Sequence, residues 1–373
     1  MKCVGCGKSS AGISENLPAC LNCIRSFPQK VLPEIKKVHL KSRREFKLPL
    51  TPPRDPQGVR CTLCVNSCQI PEGERGYCGL RTNQKGSLIH LAGTPELGLL
   101  QWYYDPLPTN CVADWVCAEG ISPKPYSSGD KNLAVFYGAC TFNCLFCQNW
   151  HYRNLVGNLI VEEGFSPGGG LEKFVSAEEL AACVDNRTAC ICYFGGDPTP
   201  QLPHALKTSR LALDEAKRRG RTLRICFESN GSMSPSLLKE AAELSFESGG
   251  CIKFDLKAFN ENLNIALCGV TNKRTLKNFQ YLAKMGKKRK EPPFLIASTL
   301  LIPGYIDREE IYNLSKFIAD LDPNIPYTLL AHYPCFYLPD LPTTSRQQAE
   351  ESKAIALNAG LKRVRVGNIH LLT

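Results

Sequence analysis

This 373-residue sequence lacks any run of apolar residues long enough to cross a membrane. A transmembrane helix needs about 20 predominantly apolar residues, so we expect neither a membrane protein nor a membrane partner. The amino terminus, MKCVGCGKSS, also lacks the apolar segment of a secretory signal. Long repeats and low-complexity segments are absent from the sequence as well. These absences predict a folded, cytoplasmic enzyme.

The sequence also lacks the pattern of a nucleic-acid-binding surface. Its net charge is +10, but the basic residues are spread over short runs such as KRRGR (217–221) and KKRKE (287–291). No stretch interleaves basic with aromatic residues, as proteins that bind single strands typically do. Because short charged runs usually lie on solvated faces, we predict no nucleic-acid partner.

Cysteine, by contrast, is abundant. The chain has 20 cysteines, and several of them stand in C-x2-C pairs. In a small secreted protein this count would predict disulfides, but in a long chain without a secretory signal it predicts metal binding. We therefore expect a reducing, oxygen-poor cytoplasm, and thus an anaerobic enzyme.

The most informative cysteines stand in the run GACTFNCLFCQNW. Cys140, Cys144 and Cys147 have the spacing C-x3-C-x2-C. Three thiolates in so short a loop can hold three irons of a cubane cluster, which leaves the fourth iron without a protein ligand. An open iron can bind a small molecule and pass an electron to it. A zinc site or three buried free cysteines are the alternatives.

From about residue 131 onward, strand-like runs alternate with amphipathic helical runs. The strand-like runs are LAVFYG (133–138), ACICYF (189–194), TLRICFES (222–229), CIKFDLKA (251–258), FLIASTLL (294–301) and YTLLAH (327–332). Ser176-x-x-Glu179 and Asp307-x-x-Glu310 resemble the capping boxes that begin helices. Strands separated by helices imply parallel βαβ units, so we predict an α/β fold with a partial (β/α)6 barrel. A seventh run, LKRVRVGNI (361–369), is predicted to extend the sheet or to pack beside it.

Polar residues stand at the carboxyl ends of three of these strands, at the sheet edge where parallel α/β proteins bind ligands. They are Gly195, Gly196 and Asp197 at the end of the second strand, Glu228, Ser229 and Asn230 at the end of the third, and Asp255 and Lys257 at the end of the fourth. Paired glycines can let a backbone approach a ligand closely, and a carboxylate can accept hydrogen bonds from an ammonium group. We predict a cofactor site here, although Gly-Gly-Asp-Pro and Asn-Gly are also ordinary turn sequences.

Together these motifs resemble the radical SAM superfamily. The resemblance implies a [4Fe–4S] cluster on Cys140, Cys144 and Cys147, with S-adenosylmethionine bound to the open iron. It also implies that Phe146 lies against the adenine and that Asp197, in place of the usual glutamate, holds the amino group. The polar residues after the third strand would contact the ribose or the methionine carboxylate. Reductive cleavage of S-adenosylmethionine would then give methionine and a 5′-deoxyadenosyl radical.

Two further segments are similar to the glycyl-radical-enzyme activase branch of that superfamily. They are DLKAFNENLNIALCGV, which begins at Asp255, and LIPGYIDREE (301–310). Activases carry a histidine downstream of the Asp-Leu-Lys motif, and Asn264 stands at that position here. An asparagine cannot carry a proton near neutral pH as a histidine can. The substitution therefore weakens the prediction of glycyl-radical formation.

The amino-terminal third contains two further groups of cysteines. The first group consists of Cys3, Cys6, Cys20 and Cys23, and the second of Cys61, Cys64, Cys68 and Cys78. Two C-x2-C knuckles, as in the first group, suit one tetrahedral structural ion, zinc or else iron. The second group surrounds a turn-forming stretch and can converge on iron, zinc or a cluster. Cys111 and Cys117 could join the second group or simply be buried.

This cysteine-rich block resembles that of radical SAM enzymes that C-methylate a glutamine of methyl-coenzyme M reductase in methanogens. The resemblance implies methylcobalamin as the methyl donor, methyl-coenzyme M reductase as the protein substrate and a low-potential electron donor such as ferredoxin. The corrinoid motif D-x-H-x-x-G is absent, so cobalamin is implied by the resemblance alone. The alternatives are an activase that forms a glycyl radical on a partner enzyme and a non-catalytic iron–sulfur or zinc protein that scaffolds a complex.

The cysteine groups and the onset of alternating runs predict three parts of the chain. Residues 1–50 are expected to form a zinc-knuckle-like module, and residues 51–130 a cysteine-rich segment that binds a metal or a cofactor. Residues 131–373 are expected to form the radical SAM partial barrel with a carboxyl-terminal extension.

Overall fold

The structure is a computed structural model that describes residues 1–107, 111–117, 129–159 and 174–373. Within these ranges the chain forms ten α-helices and thirteen β-strands, together with two short 3-10 helices. In the described part of the chain, none of the helices combines the length and the apolar character that a membrane crossing requires.

Strands and helices alternate regularly in the second part of the chain. The strands are β1 (Val59–Arg60), β2 (Gln69–Ile70), β3 (Arg81–Gln84), β4 (Ser87–His90), β5 (Leu97–Pro106), β6 (Lys131–Tyr137), β7 (Phe174–Ser176), β8 (Thr188–Gly195), β9 (Arg224–Ser229), β10 (Ile252–Asp255), β11 (Leu295–Leu301), β12 (Tyr327–Ala331) and β13 (Val364–Gly367). The helices are α1 (Leu21–Ser26), α2 (Pro28–Arg44), α3 (Tyr152–Gly157), α4 (Ala177–Ala182), α5 (Leu202–Arg218), α6 (Pro235–Glu247), α7 (Glu261–Cys268), α8 (Lys273–Gly286), α9 (Arg308–Leu321) and α10 (Arg346–Asn358).

One large sheet organises the molecule, and its strand order is β13-β12-β11-β10-β9-β8-β6-β5-β7. Neighbouring strands from β6 through β8 to β13 pair in parallel. Helices lie between consecutive parallel strands, so the predicted α/β fold is confirmed. All six predicted strand-like runs form strands of this sheet. The seventh run supplies β13, which extends the sheet beyond β12.

Two further strands complete the other edge of the sheet. β5 pairs with both β6 and β7, and both pairings are antiparallel. β5 lies within the range 51–130 of the predicted division, so that range and the barrel share one sheet.

Side-chain caps begin several of the helices. Ser176 and Glu179 form the predicted capping box at the start of α4. The Ser176 hydroxyl accepts from the Glu179 N–H at 3.1 Å, and the Glu179 carboxylate accepts from the Ser176 N–H at 2.8 Å. These bonds give partners to N–H groups that a first helical turn otherwise leaves free.

The second predicted capping box is correct only in part. Asp307 Oδ1 accepts from the Glu310 N–H at 2.9 Å, as predicted. The buried Glu310 carboxylate does not return to Asp307. It accepts from the N–H groups of Phe259 and Asn260, the latter at 2.8 Å, and pairs with Arg25 at 3.0 Å. Donors from distant segments have replaced the local cap, and they tie α9 to α1 and to the loop after β10.

The amino-terminal segment packs directly against the barrel. The Tyr305 hydroxyl donates to Leu17 O at 2.7 Å and accepts from the Ser14 N–H at 3.2 Å. Arg25 forms a bidentate pair with Asp307 at 2.7 and 2.8 Å. Such paired contacts fix geometry as well as supplying energy, so the amino-terminal cysteines have a defined position relative to the sheet.

Candidate active site

The loop after β6 and the carboxyl ends of β8, β9 and β10 surround one cavity of about 310 Å³. Every residue predicted to bind the [4Fe–4S] cluster of the loop or S-adenosylmethionine lines this cavity. These residues are Cys140, Cys144, Phe146, Cys147, Gly195, Gly196, Asp197, Glu228, Ser229, Asn230, Asp255 and Lys257. They meet because parallel strands end at the same edge of a sheet. Their roles in binding a cofactor stay predictions.

Backbone hydrogen bonds hold the cysteine loop against α7. The N–H groups of Asn143 and Leu145 donate to the carbonyl oxygens of Cys268 and Leu267, both at 2.9 Å. The buried Asn143 side chain also donates to His39 Nδ1 at 2.9 Å. Protein groups alone therefore fix the shape of the loop.

Burial makes the contact between His39 and Asn143 sensitive to acid. His39 Nε2 lies 3.0 Å from Ala266 O, so Nε2 carries the proton and Nδ1 accepts from Asn143. Burial lowers the pKa of His39 from 6.5 to about 4, and the nearby Arg153 acts in the same direction. Between these two pKa values the unfolded chain binds a proton that the folded chain does not bind. Stability should therefore fall as the pH falls through this interval.

We expect this histidine to cost about 2 kcal/mol of unfolding free energy when the pH is lowered from 7.5 to 5. The measurement is a guanidinium titration of the wild type and of His39→Gln at both pH values. The variant should lose about 2 kcal/mol less than the wild type over this interval. The exposed His370, changed to Gln, serves as the control and should behave as the wild type. Equal losses in wild type and His39→Gln would contradict the expectation.

The three thiols of the loop are half-buried. Burial raises the pKa of Cys140 and of Cys147. Contact with Cys268, together with burial, raises the pKa of Cys144. Thiols in such surroundings stay protonated until a metal displaces the proton. The loop is therefore expected to release protons when it binds iron.

A buried cation lies beside this loop. Arg153, in α3, is fully buried and lines the same cavity. One of its Nη atoms donates to Asn143 Oδ1, whereas Nε and the other Nη have no hydrogen-bond partner among the residues that the structure describes. Burying charged N–H groups without partners is costly. A [4Fe–4S] cluster on three thiolates is anionic and carries sulfide acceptors, so the residues present fit that group.

The paired glycines are required by strand packing. A Cβ on Gly195, whose φ is +102°, would lie 2.6 Å from Tyr137 N, and one on Gly196 would lie 2.3 Å from Ala139 O. Both distances are far below van der Waals contact. Glycine is thus needed because the end of β8 approaches the end of β6, a reason different from the predicted approach of a ligand.

Asp197 ties the ends of β8 and β9 together. Its carboxylate accepts from the N–H groups of Thr199 at 2.8 Å and Asn230 at 2.7 Å, and from the Ser229 hydroxyl at 3.1 Å. Burial raises the pKa of Asp197, and these hydrogen bonds oppose the rise. A carboxylate has about four acceptor sites, and the Thr199 side chain also interacts with this one, so protein groups occupy most of its acceptor capacity. The Asn230 side chain is occupied by Thr141 Oγ1 at 2.9 Å.

Four charged side chains, which we call the charged row, line one side of the cavity. Lys253 Nζ lies 3.0 Å from Glu228 and 2.8 Å from Asp255, and Lys257 Nζ lies 3.0 Å from Asp255. Burial alone would lower the pKa of Lys253, but the two carboxylates outweigh burial and raise it. Burial would raise the pKa of Asp255, but the two lysines hold it below its usual range. Lys253 and Asp255 are therefore ionised, and they offer both signs of charge to a zwitterionic ligand.

The sulfurs of the amino-terminal cysteine group lie at distances that suit the binding of one tetrahedral metal ion. The sulfurs of Cys3, Cys6, Cys20 and Cys23 all lie within 4.8 Å of one another, and Cys6 Sγ is 3.8 Å from Cys20 Sγ. Four thiolates at about 2.3 Å from one zinc have sulfurs about 3.8 Å apart. Among the residues that the structure describes, no other group of three or more His, Cys, Asp or Glu is this compact. The identity of the ion stays a prediction.

The second predicted group also converges. Cys61, Cys64, Cys68 and Cys78 line one small pocket, which Thr141 of the cysteine loop also lines. Burial, followed by repulsion from Cys78, raises the pKa of Cys61 and of Cys64. Four thiols around one space can hold an ion or a cluster, and its identity likewise stays a prediction.

Cys111 and Cys117 do not join that second group. They line a different pocket inside the barrel, together with Cys190, Cys192, Cys226 and Cys251. The segment that carries them is held on the sheet, because Trp115 Nε1 donates to Thr328 Oγ1 at 3.3 Å. The alternative in which they join the second group is therefore wrong.

Two charged residues that line the cavity, Lys253 and Arg153, were not predicted. Lys253 could have been found, because it stands two positions before Asp255 on β10, and alternate strand residues face the same side. Arg153 leaves no local signal in the sequence, since its importance depends on its burial against Asn143 of the cysteine loop.

Comparisons with known proteins agree with this geometry. Residues 134–318 match the family described as the Radical SAM superfamily. The chain is 24% identical to an uncharacterised protein of Methanocaldococcus jannaschii, over 84% of this chain and 83% of that protein. It is 28% identical to a second protein of that organism, named provisionally as a glycyl-radical enzyme activating enzyme, over 55% and 69% of the two chains. It is 24% identical to the pyruvate formate-lyase 1-activating enzyme of Escherichia coli, over 50% and 68%.

Proposed function

Because this chain belongs to the radical SAM superfamily and is similar to its activase branch, we propose that its cavity binds a [4Fe–4S] cluster and S-adenosylmethionine and acts on a polypeptide. The meeting of three loop thiols, the buried Arg153 and the charged row in one cavity supports this proposal most strongly. When bound, the cluster and S-adenosylmethionine supply reductive cleavage to methionine and a 5′-deoxyadenosyl radical. A low-potential donor such as ferredoxin is proposed as the source of the electron.

The side chains of the cavity have separate tasks in this proposal. The loop thiolates hold the cluster, and Arg153 balances its negative charge. The charged row and Asp197 orient the amino and carboxylate groups of S-adenosylmethionine. Phe146, which is only 4% exposed, gives an apolar surface for the adenine and helps to keep water out.

A polypeptide is the proposed substrate because this chain is similar in sequence to enzymes that are named for activating other enzymes. The Escherichia coli relative is named as an activating enzyme of pyruvate formate-lyase, so its name gives another enzyme as its target. The barrel of this chain is similar to that of such activating enzymes. We therefore propose that a loop of a partner protein binds at the open side of the cavity.

We further propose that the reaction is C-methylation, of a glutamine in methyl-coenzyme M reductase, with methylcobalamin as the donor. Two features support this choice besides the resemblance of the cysteine-rich block. The amino-terminal cysteine groups exceed what one catalytic cluster needs. Asn264, at the position of the activase histidine, is buried in α7 and donates to Val270 O at 2.7 Å. It is thus a structural residue that cannot carry a proton to or from a substrate.

The second candidate is an activase that abstracts a hydrogen atom from a glycine of a partner enzyme. The names of two of the relatives favour it. The same radical serves both candidates, so they differ in the second cofactor and in the fate of the substrate carbon.

The two candidates predict different products. The anaerobically reconstituted enzyme is incubated with S-adenosylmethionine, methylcobalamin, a low-potential reductant and a glutamine-containing peptide of methyl-coenzyme M reductase. Methylation is expected to add the mass of one methyl group to the glutamine, with bound corrinoid visible in the absorption spectrum. No corrinoid binding, together with a glycyl-radical signal on a partner enzyme, would instead establish the activase. The peptide with glutamine replaced by alanine is the control.

A further inference from the structure

Inside the barrel, four thiols face one another on the amino-terminal side of the charged row. We call Cys111, Cys192, Cys226 and Cys251 the barrel thiols, and all four line one pocket. Alternate residues of a strand face the same side, so Cys226 of β9 lies on the face that carries Glu228. Cys251, just before β10, lies on the face that carries Lys253. The pocket is therefore next to the active-site cavity along the strands.

The barrel thiols come together from four separate segments of the chain. Cys226 Sγ lies 3.9 Å from Cys251 Sγ. Cys111 and Cys192 line the same pocket and interact electrostatically with this pair.

Cations surround these thiols, which distinguishes them from ordinary core cysteines. Arg224 lines the same pocket, and Arg289 is attracted to Cys226 and Cys251. A buried cysteine that only fills space behaves as a small apolar residue and gains nothing from nearby guanidinium groups. Thiolates that bind a metal do gain from them.

We propose that Cys111, Cys192, Cys226 and Cys251 bind a further metal centre, an iron–sulfur cluster, inside the barrel. Thiolate ligands favour zinc or iron–sulfur clusters, and the arrangement of the sulfurs decides between the two. Within the described ranges, no three of the barrel thiols are as compact as the amino-terminal group, whose sulfurs lie within 4.8 Å. A cluster holds a close pair of thiolates on one iron, as the 3.9 Å between Cys226 and Cys251 allows, and takes its other ligands at greater distance than a single zinc does.

The proposed centre touches the charged row. Cys111 Sγ lies 3.6 Å from Glu228 Oε1, and Glu228 is paired with Lys253 at 3.0 Å. A change of charge at the barrel thiols would therefore act on the active-site cavity across one pair of side chains. Because metal content is measured without S-adenosylmethionine, the site can be tested independently of the proposed function.

The test compares iron and acid-labile sulfide per chain in anaerobically reconstituted full-length proteins. Cys226→Ser/Cys251→Ser should lose about two to four irons, the content of one cluster, relative to the wild type. Cys183→Ser is the matched control and should keep the wild-type iron content. The Cys183 thiol belongs to none of the cysteine groups and donates to Glu179 O at 3.3 Å. An unchanged iron content in the folded double variant would overturn the proposal.

A second measurement covers the case in which the double variant does not fold. Crystals of the reconstituted wild type are examined by anomalous diffraction at the iron and zinc edges. A peak between the barrel thiols at the iron edge is expected. A zinc peak there, no peak, or a disulfide between Cys226 and Cys251 would each overturn the assignment.

Discussion

Replacing Cys140, Cys144 and Cys147 together by alanine should abolish the formation of 5′-deoxyadenosine from S-adenosylmethionine. The three thiols are the only cysteines of the loop after β6, and they line the cavity in which the proposed cofactor lies. Without them a cubane has no protein ligands at this position. We expect a loss of at least about 1,000-fold, which corresponds to about 4 kcal/mol of lost transition-state stabilisation. The measurement is chromatography of 5′-deoxyadenosine after incubation with a low-potential reductant.

Two controls make this result specific. Cys183→Ala removes a thiol outside every cysteine group and should leave the rate unchanged. Iron analysis of the triple variant should show a loss of about four irons per chain while the other cysteine groups keep their metals. If the triple variant still formed 5′-deoxyadenosine, the assignment of the cluster to this loop would be wrong.

The barrel could be predicted from sequence because its strands are buried on both faces. Such strands give continuous apolar runs, and the helices between them carry start signals such as Ser176-x-x-Glu179. The edge pairing of β5 was not predicted, because its partner β6 lies beyond a long intervening segment. The helix α2 was also missed, although Val31, Ile35 and His39 recur at helical spacing. Pro33 interrupts that pattern with a residue that usually ends a helix.

The residues of the candidate site that stand at the ends of strands could be predicted from the sequence. The carboxyl ends of β8, β9 and β10 must meet at one edge of a parallel sheet, so local sequence was sufficient for these residues. Residues whose importance depends on distant neighbours were not predictable. Glu310 follows a cap signal but binds Arg25 instead, and Cys192 and Cys226 look like apolar strand residues. Cysteine fits both a strand core and a metal site, so periodicity cannot separate the two uses.

Arg153 should make the stability of the chain depend strongly on the cluster. With the loop thiols neutral, its guanidinium is a buried charge, and two of its nitrogen atoms lack hydrogen-bond partners within the described ranges. An anionic cluster would compensate that charge. Removing one partner of a buried ion pair typically costs about 3–5 kcal/mol, because the other charge is left unpaired. Loss of the cluster should therefore destabilise the wild type by this amount more than it destabilises Arg153→Met.

The difference in unfolding free energy between the wild type and Arg153→Met should depend on the cluster. Arg153→Met should be less stable than the wild type when the cluster is present and at least as stable when a chelator has removed it. Unfolding free energies from guanidinium titrations of both forms give the four values needed. Arg221→Met is the control, since Arg221 donates to the carbonyl oxygens of Asp185 and Thr188 and should be equally costly to remove in both forms. Loss of metals from the other cysteine groups should change the unfolding free energy of both proteins equally, so it does not affect this comparison. An equal effect of chelation on wild type and Arg153→Met would show that Arg153 does not face an anionic cluster.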